Sequence, residues 1–257
     1  MSGFIGLVKT LERRLEPEWL DELPGDDPRA VRSRRDLRLM NRIMGHAGSI
    51  GRALRTHLRR ETPTLAELGA GDGSLLLRIA SRARWEGGAD LVLVDRQPVV
   101  TAATGARYQA LDCRVRVDAA DVFDWLGSGT QRYDAIVANL FLHHFDAPQL
   151  SRLFALAALR TDLFIGCEPW RARLPLAGSH LLGLIGCNDV TRHDAVLSVR
   201  AGFADQELSA LWPDAPGWKL AEARAGLFSH LFVAHHPHPA LPPEGEGELS
   251  PPHQGEG

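Results

Sequence analysis

The sequence predicts an α/β protein: a doubly wound, seven-stranded sheet with one antiparallel strand, plus a helical N-terminal cap. Three observations carry that reading. From Thr64 onward, short β-branched or leucine-rich runs alternate with helical stretches, which is the pattern of a parallel sheet covered on both faces. The last two runs are separated only by Ala225-Gly226, so they form an antiparallel hairpin that ends the sheet. The first sixty residues carry helical periodicity and no strand signal.

Phe4, Leu7, Val8, Leu11 and Leu15 recur at helical spacing and predict a first helix. Pro24-Gly25-Asp26-Asp27-Pro28 breaks the chain, and an arginine-dense helical segment follows from Arg29 to Arg60, interrupted at Gly45 and Gly48. Its apolar line is Val31, Leu37, Met40, Ile43 and Met44. The arginines are either a solvated face or a lid over an anionic or polar substrate, with Asn41 and Arg42 pointing inward. Strands are expected at residues 64–68, 91–94, 114–117, 135–138, 163–167, 218–223 and 227–234. Helices are expected at residues 74–82, 99–110, 122–126 and 149–159. The organisation is a cap over residues 1–62, a ligand-binding domain over 63–236, and a tail over 237–257. The Pro/Gly/Glu composition of that tail offers no face to bury and predicts disorder.

Composition narrows the function. Lys and Arg number 29 against 32 Asp and Glu, for a net charge of −3, which disfavours a general nucleic-acid binder. Lys9 and Lys219 are the only lysines. Cys113, Cys167 and Cys187 are odd in number and far apart, against a disulfide framework or a zinc knuckle. His235, His236 and His238 lead into the tail without rigid geometry, so no metal site is expected. No apolar run reaches the ~20 residues of a membrane span, and no signal peptide is visible, so a cytoplasmic protein is expected.

The strongest signal is Glu67-Leu68-Gly69-Ala70-Gly71-Asp72-Gly73-Ser74, a strand end, a glycine-rich turn and a helix start. Such a turn lets a ligand approach the backbone at the carboxyl end of the first strand. Glu67 can accept from an ammonium group there. Asp95, ending the second strand, can take both hydroxyls of a ribose. Asp121, after the third strand, can accept from an exocyclic amine, with the Val122 N–H beside it. Each aspartate taken singly also reads as a helix cap. Together they imply a ligand with an amino-acid end, a ribose and an adenine, and no pyrophosphate.

Residues 67–73, Asp95, Asp118-Ala119-Ala120-Asp121 and Tyr133-Asp134-Ala135-Ile136-Val137-Ala138-Asn139 occur in the order found in class I S-adenosylmethionine-dependent methyltransferases. From Thr64 to Ala234 the chain resembles that family, and most resembles its bacterial small-molecule members in secondary metabolism. The resemblance implies a Rossmann-like sheet with S-adenosylmethionine as cofactor. It places Glu67, Gly69, Ala70 and Gly71 around the methionine part, Asp95 at the ribose and Arg96 beside the adenine. Asp121 and Val122 would lie at the adenine edge and Asn139 at the methionyl end. It also implies that residues 168–205 build the acceptor pocket.

A small-molecule acceptor methylated at oxygen, a phenol or a carboxylate, is the expected substrate. The alternatives are a non-catalytic S-adenosylmethionine-binding scaffold and a nicotinamide-dependent oxidoreductase; the latter wants a third glycine where Ser74 stands. Methylation of a nucleobase amine is disfavoured, because Asn139-Leu140-Phe141-Leu142 carries no proline pair. A weak nucleophile profits from a nearby base, and four candidates stand near the expected cleft. His143 and His144 follow the fourth strand; the alternative is that one packs on the cofactor and the other faces the sheet edge. His193 lies in a polar segment that Thr191 could instead cap. Glu168 ends the fifth strand and is expected to point toward the cleft, where it would orient the acceptor or pair with an arginine.

Overall fold

The computed structural model describes residues 11–58 and 60–237. The tail beyond 237 and residues 4–10 of the first expected helix lie outside the described residues. The chain runs α1 (Trp19–Glu22), α2 (Pro28–Met44), α3 (His46–His57), β1 (Thr64–Leu68), α4 (Ser74–Ala83), β2 (Ala89–Asp95) and α5 (Ala102–Gln109). It continues through β3 (Cys113–Ala119), α6 (Val122–Ser128), β4 (Ala135–Asn139), α7 (Ala147–Ala158), β5 (Leu163–Pro169), α8 (Arg173–His180), α9 (Asp189–Ala201), β6 (Lys219–Ala225) and β7 (Ser229–His235).

The sheet order is β3-β2-β1-β4-β5-β7-β6. Every pairing is parallel except those of β7, which runs against both β5 and β6. Alternation along the strands divides the core. Leu65, Leu91, Leu93, Val137 and Ile165 face Ile50, Leu54, Leu76 and Ile79 of α3 and α4. Ala66, Val92, Ile136, Phe164 and Phe232 face Leu126, Leu150 and Phe154 of α6 and α7. The registers Leu68↔Val94, Leu68↔Ala138 and Asn139↔Cys167 bring the carboxyl ends of β1, β2, β4 and β5 to one edge. That edge flanks the point where the strand order reverses, which is where open α/β sheets bind ligands.

Two expectations in the N-terminal region are corrected. Residues 11–18 are not helical. Pro17 disfavours helical backbone at Glu16, and long-range bonds tie the segment to the body of the protein. The Arg14 N–H donates to Arg200 O (3.1 Å), and the Arg13 guanidinium donates to Ala201 O and Phe145 O (both 2.8 Å). The expected apolar line of α2 is not its packing face, since Val31 and Ile43 are 54% and 61% exposed. The buried residues of α2 are Ala30 and Ser33. Ser33 Oγ accepts from Thr191 Oγ1 (3.0 Å), and Asp36 accepts from the Asn188 N–H (2.9 Å), so α2 docks through polar bonds onto the start of α9. Asp27 caps α2 at its start and Gly45, at φ 73°, ends it.

Candidate active site

The backbone of the glycine turn is held by its neighbours. Gly69 and Ala70 donate to Val94 O (2.9 and 3.1 Å), and Gly71 donates to Asp95 Oδ2 (2.8 Å). Gly69 adopts φ +68°, and a Cβ there would lie 2.3 Å from the Phe141 ring. At Gly71 (φ +53°) a Cβ would meet nothing within 4 Å, so the turn leaves a cradle that a side chain would fill.

A cleft of about 210 Å³ opens above this turn. Its floor is Glu67, Gly69, Ala70, Gly71, Asp95, Arg96 and Asn139, all expected from the sequence. Its roof is Leu20 and Asp21 of α1 with Arg34, Leu37, Arg38 and Asn41 of α2. Those four α2 residues are spaced i, i+3, i+4, i+7 and form one helical stripe. Roof meets floor twice: Asn139 Nδ2 donates to Asn41 Oδ1 (3.3 Å), and Arg38 Nη1 pairs with Asp72 Oδ2 (2.5 Å). The expected inward orientation of Asn41 is found, whereas Arg42 is exposed and Met40 and Met44 do not line the cleft. Sequence reasoning missed Arg34, Arg38 and Gln97. The mixed charged-and-apolar stripe of α2 was its one signal, masked by arginines on every other face.

Two buried polar atoms on the floor lack partners among the described residues: Glu67 Oε2 and Asn139 Oδ1. Burial drives the Glu67 carboxyl well above its ordinary range, the Leu76 N–H opposes this only in part, and Asp72 and Asp95 add to the rise. A buried carboxylate in that state is complementary to a cationic ligand group. The donor set therefore fits the amino-acid end of S-adenosylmethionine, with Glu67 toward its ammonium and Arg38 toward its carboxylate.

The remaining expected residues are placed elsewhere. Asp121 caps α6 by accepting from the Phe123 N–H (2.8 Å), and neither it nor Val122 lines the cleft. Glu168 is wholly buried and does not reach the cleft or an arginine; it accepts from the Phe141 and Leu142 N–H groups (3.0 and 2.9 Å) and contacts His143 Nδ1 (2.7 Å). The other ring nitrogen of His143 lies 3.4 Å from Glu18 Oε1, and Ser198 Oγ donates to the same carboxylate. His143 thus ties the N-terminal segment to the loop after β4. Burial alone would lower its pKa, but Glu168 and Glu18 outweigh burial and raise it to about 10. His193 stacks on Trp19 (centroids 3.7 Å apart) and bonds Asp194 (2.9 Å), away from the cleft. The cap of its helix is Asn188, which accepts from the Thr191 N–H, and not Thr191 itself. His144 Nδ1 is 3.3 Å from Asp21 Oδ2, and Asp21 lines the cleft.

With seven strands in this order and the glycine turn beneath the cleft, the chain has the fold of class I S-adenosylmethionine-dependent methyltransferases. Residues 65–160 match a family model described as a methyltransferase domain, and S-adenosylmethionine is the cofactor of this class. Among solved structures, the fold is similar to that of the plantazolicin methyltransferase BamL in complex with a triazolic desmethylPZN analog and SAH. That match has a TM-score of 0.60 and 12% identity over 85% of this chain and 93% of that one. An O-methyltransferase family protein from Burkholderia thailandensis matches with a TM-score of 0.57 and 19% identity, over 82% of this chain and 61% of that one. Among curated proteins, the tRNA1(Val) (adenine(37)-N6)-methyltransferase of Klebsiella pneumoniae (strain 342) is 33% identical over 73 residues, 28% of this chain. The match spans 30% of that relative's length.

Proposed function

We propose that the chain transfers the methyl group of S-adenosylmethionine to a small-molecule acceptor, at oxygen, in secondary metabolism. The observation that carries this is the roofed cleft. Leu20, Asp21, Leu37 and Asn41 cover the floor formed by Glu67, Gly71, Asp95 and Asn139, so an acceptor must fit beneath a helix already bonded to the sheet. The O-methyltransferase named among the structural neighbours supports the choice of atom.

When bound, the cofactor supplies an activated methyl group on a sulfonium. The protein's own contribution is positional. Glu67 and Arg38 fix the amino-acid end, Asp95 the sugar, and Asn139 the edge at which roof and floor meet. The roof excludes water and holds the acceptor in line. None of the four expected catalytic residues lines the cleft; Asp21 does. We assign proton acceptance from the acceptor hydroxyl to the Asp21 carboxylate, backed by His144, whose pKa is lowered by burial and by the charge of His143. His143 and Glu168 are positioning residues that shape the loop after β4.

The name of the curated tRNA relatives favours a second reading, methylation of an adenine amine in RNA. Turnover with S-adenosylmethionine against phenols, carboxylic acids and transfer RNA separates the two. Product from a phenol or acid supports the proposal. Turnover with transfer RNA alone overturns it, and no turnover with any acceptor while the cofactor binds points to a scaffold.

We place the boundary between cap and catalytic unit at Gly45, because Ala47, Ile50, Ala53 and Leu54 of α3 belong to the sheet's own core. Deleting residues before His46 should leave a folded protein without turnover. Full activity of that truncation, measured by the same assay, would make the cap dispensable.

A further inference from the structure

We propose that the groove on the outer side of α2 binds the non-reacting body of the methyl acceptor, and that this body is an anionic amphiphile. The inference deepens the methyltransferase reading and rests on it. The groove encloses about 1100 Å³ between α2 and the turn at Ile185-Gly186, and Arg38 lines both this groove and the cofactor cleft. One guanidinium thus marks the passage between them.

The lining is unbalanced in charge. Four arginines (32, 35, 38 and 42) face it against Asp26 and Asp36. Asp36 is held toward α9 by the Asn188 N–H and the Thr191 hydroxyl, which leaves four guanidinium groups against two carboxylates. Arg38 pairs with Asp72, and Arg32 donates to Gly186 O. Arg35 and Arg42 have no acidic partner among the described residues and remain free to meet an anion. Arg42 also lies near Arg78, whose pKa is lowered by burial and then by the charges of Arg42 and Arg82. A chain with net charge −3 has therefore concentrated positive charge at one mouth.

The same groove leaves large aliphatic groups in water. Val31, Leu39 and Ile185 are 54%, 40% and 53% exposed, and all three line it. Apolar surface rimmed by unpaired guanidinium groups fits a hydrocarbon body with an acidic group. It fits RNA less well, because the lining offers no aromatic ring on which a base could stack. Its concavity suits a single molecule better than a flat bilayer surface.

The test uses the full chain saturated with S-adenosylhomocysteine, with dodecanoate and dodecan-1-ol as probes below their aggregation limits. Calorimetry should show dodecanoate binding at least tenfold tighter than the alcohol. The exposed double change Arg35→Gln/Arg42→Gln should weaken dodecanoate at least tenfold and leave S-adenosylhomocysteine affinity within twofold. A second variant, Leu39→Ser/Ile185→Ser, should weaken both probes together. Equal affinity for acid and alcohol, or an unchanged Arg35→Gln/Arg42→Gln variant, would overturn the proposal. So would transfer RNA or phosphatidylglycerol vesicles binding through these arginines while free dodecanoate does not. Failure of S-adenosylhomocysteine to bind the unmodified chain would count against the methyltransferase reading, and the two probes would still judge the groove.

Discussion

Replacing Glu168 with Leu should lower stability by about 3–5 kcal/mol and Tm by roughly 10 °C, because it breaks a buried ion pair from one side. The side chain serves three groups at once, the Phe141 N–H, the Leu142 N–H and His143 Nδ1, and it is 0% exposed. Removing it leaves two buried N–H donors unpaired and an imidazolium with only Glu18 to balance it. Glu168→Gln keeps one acceptor oxygen and the volume, so it should cost clearly less. Equal stability of Glu168→Leu and the unmodified protein in a denaturant titration would show that the loop after β4 is held by something else.

The same network sets a pH window. The folded-state pKa of His143 is raised from 6.5 to about 10, so its contribution is complete below the unfolded value and is lost as pH rises through about 10. Burial would raise Glu168 and Glu18, yet bonding to His143 lowers both below 4.5. Their contribution is therefore present above 4.5 and is lost as pH falls through the lowered values. Thermal melts should show a plateau between these limits. In Glu168→Gln the alkaline edge should move to lower pH, since His143 loses the partner that contributes most to raising it.

The sheet was legible because β2, β4 and β5 carry near-continuous apolar runs and helices lie between the strands at regular spacing. All seven strand candidates overlap the observed strands, and β1 matches at both ends. The floor of the cleft was equally legible, because glycines at 69 and 71 and carboxylates at 67 and 95 are local to single turns. What the sequence hid is long-range. Leu11 and Leu15 continue a helical periodicity, but Arg13 and Arg14 find carbonyl partners nearly 190 residues away, and these hold the segment out of a helix. Glu168 and His143 read as catalytic because one ends β5 and the other follows β4, both at the site edge. Their bond to each other, across 25 residues, turns both inward. The roof was half legible: Asn41 was placed, but the arginine excess concealed which face of α2 looked down.

The second large effect is on cofactor affinity. Asp95→Ala should weaken S-adenosylmethionine by about 10- to 100-fold, the worth of a charge-assisted bond of ~1.5–3 kcal/mol, and Glu67→Gln by a similar factor. Asp95 also orders the turn through Gly71 N and Gln97 N, so its loss acts on the cradle as well as on the sugar. Glu67 adds a pH signature. Its carboxyl is held well above its ordinary range in the free protein, and a cationic partner would bring it down. Binding should therefore release a proton, and affinity should rise with pH until Glu67 is ionised in the free state.

Titration calorimetry of S-adenosylmethionine in two buffers of different ionisation enthalpy, on the unmodified chain, Asp95→Ala and Glu67→Gln, tests the cofactor site most directly. The expected result is binding with proton release that disappears in Glu67→Gln, weakened binding in Asp95→Ala, and no binding of NAD. Unchanged affinity in both variants, or NAD bound in place of S-adenosylmethionine, would contradict it.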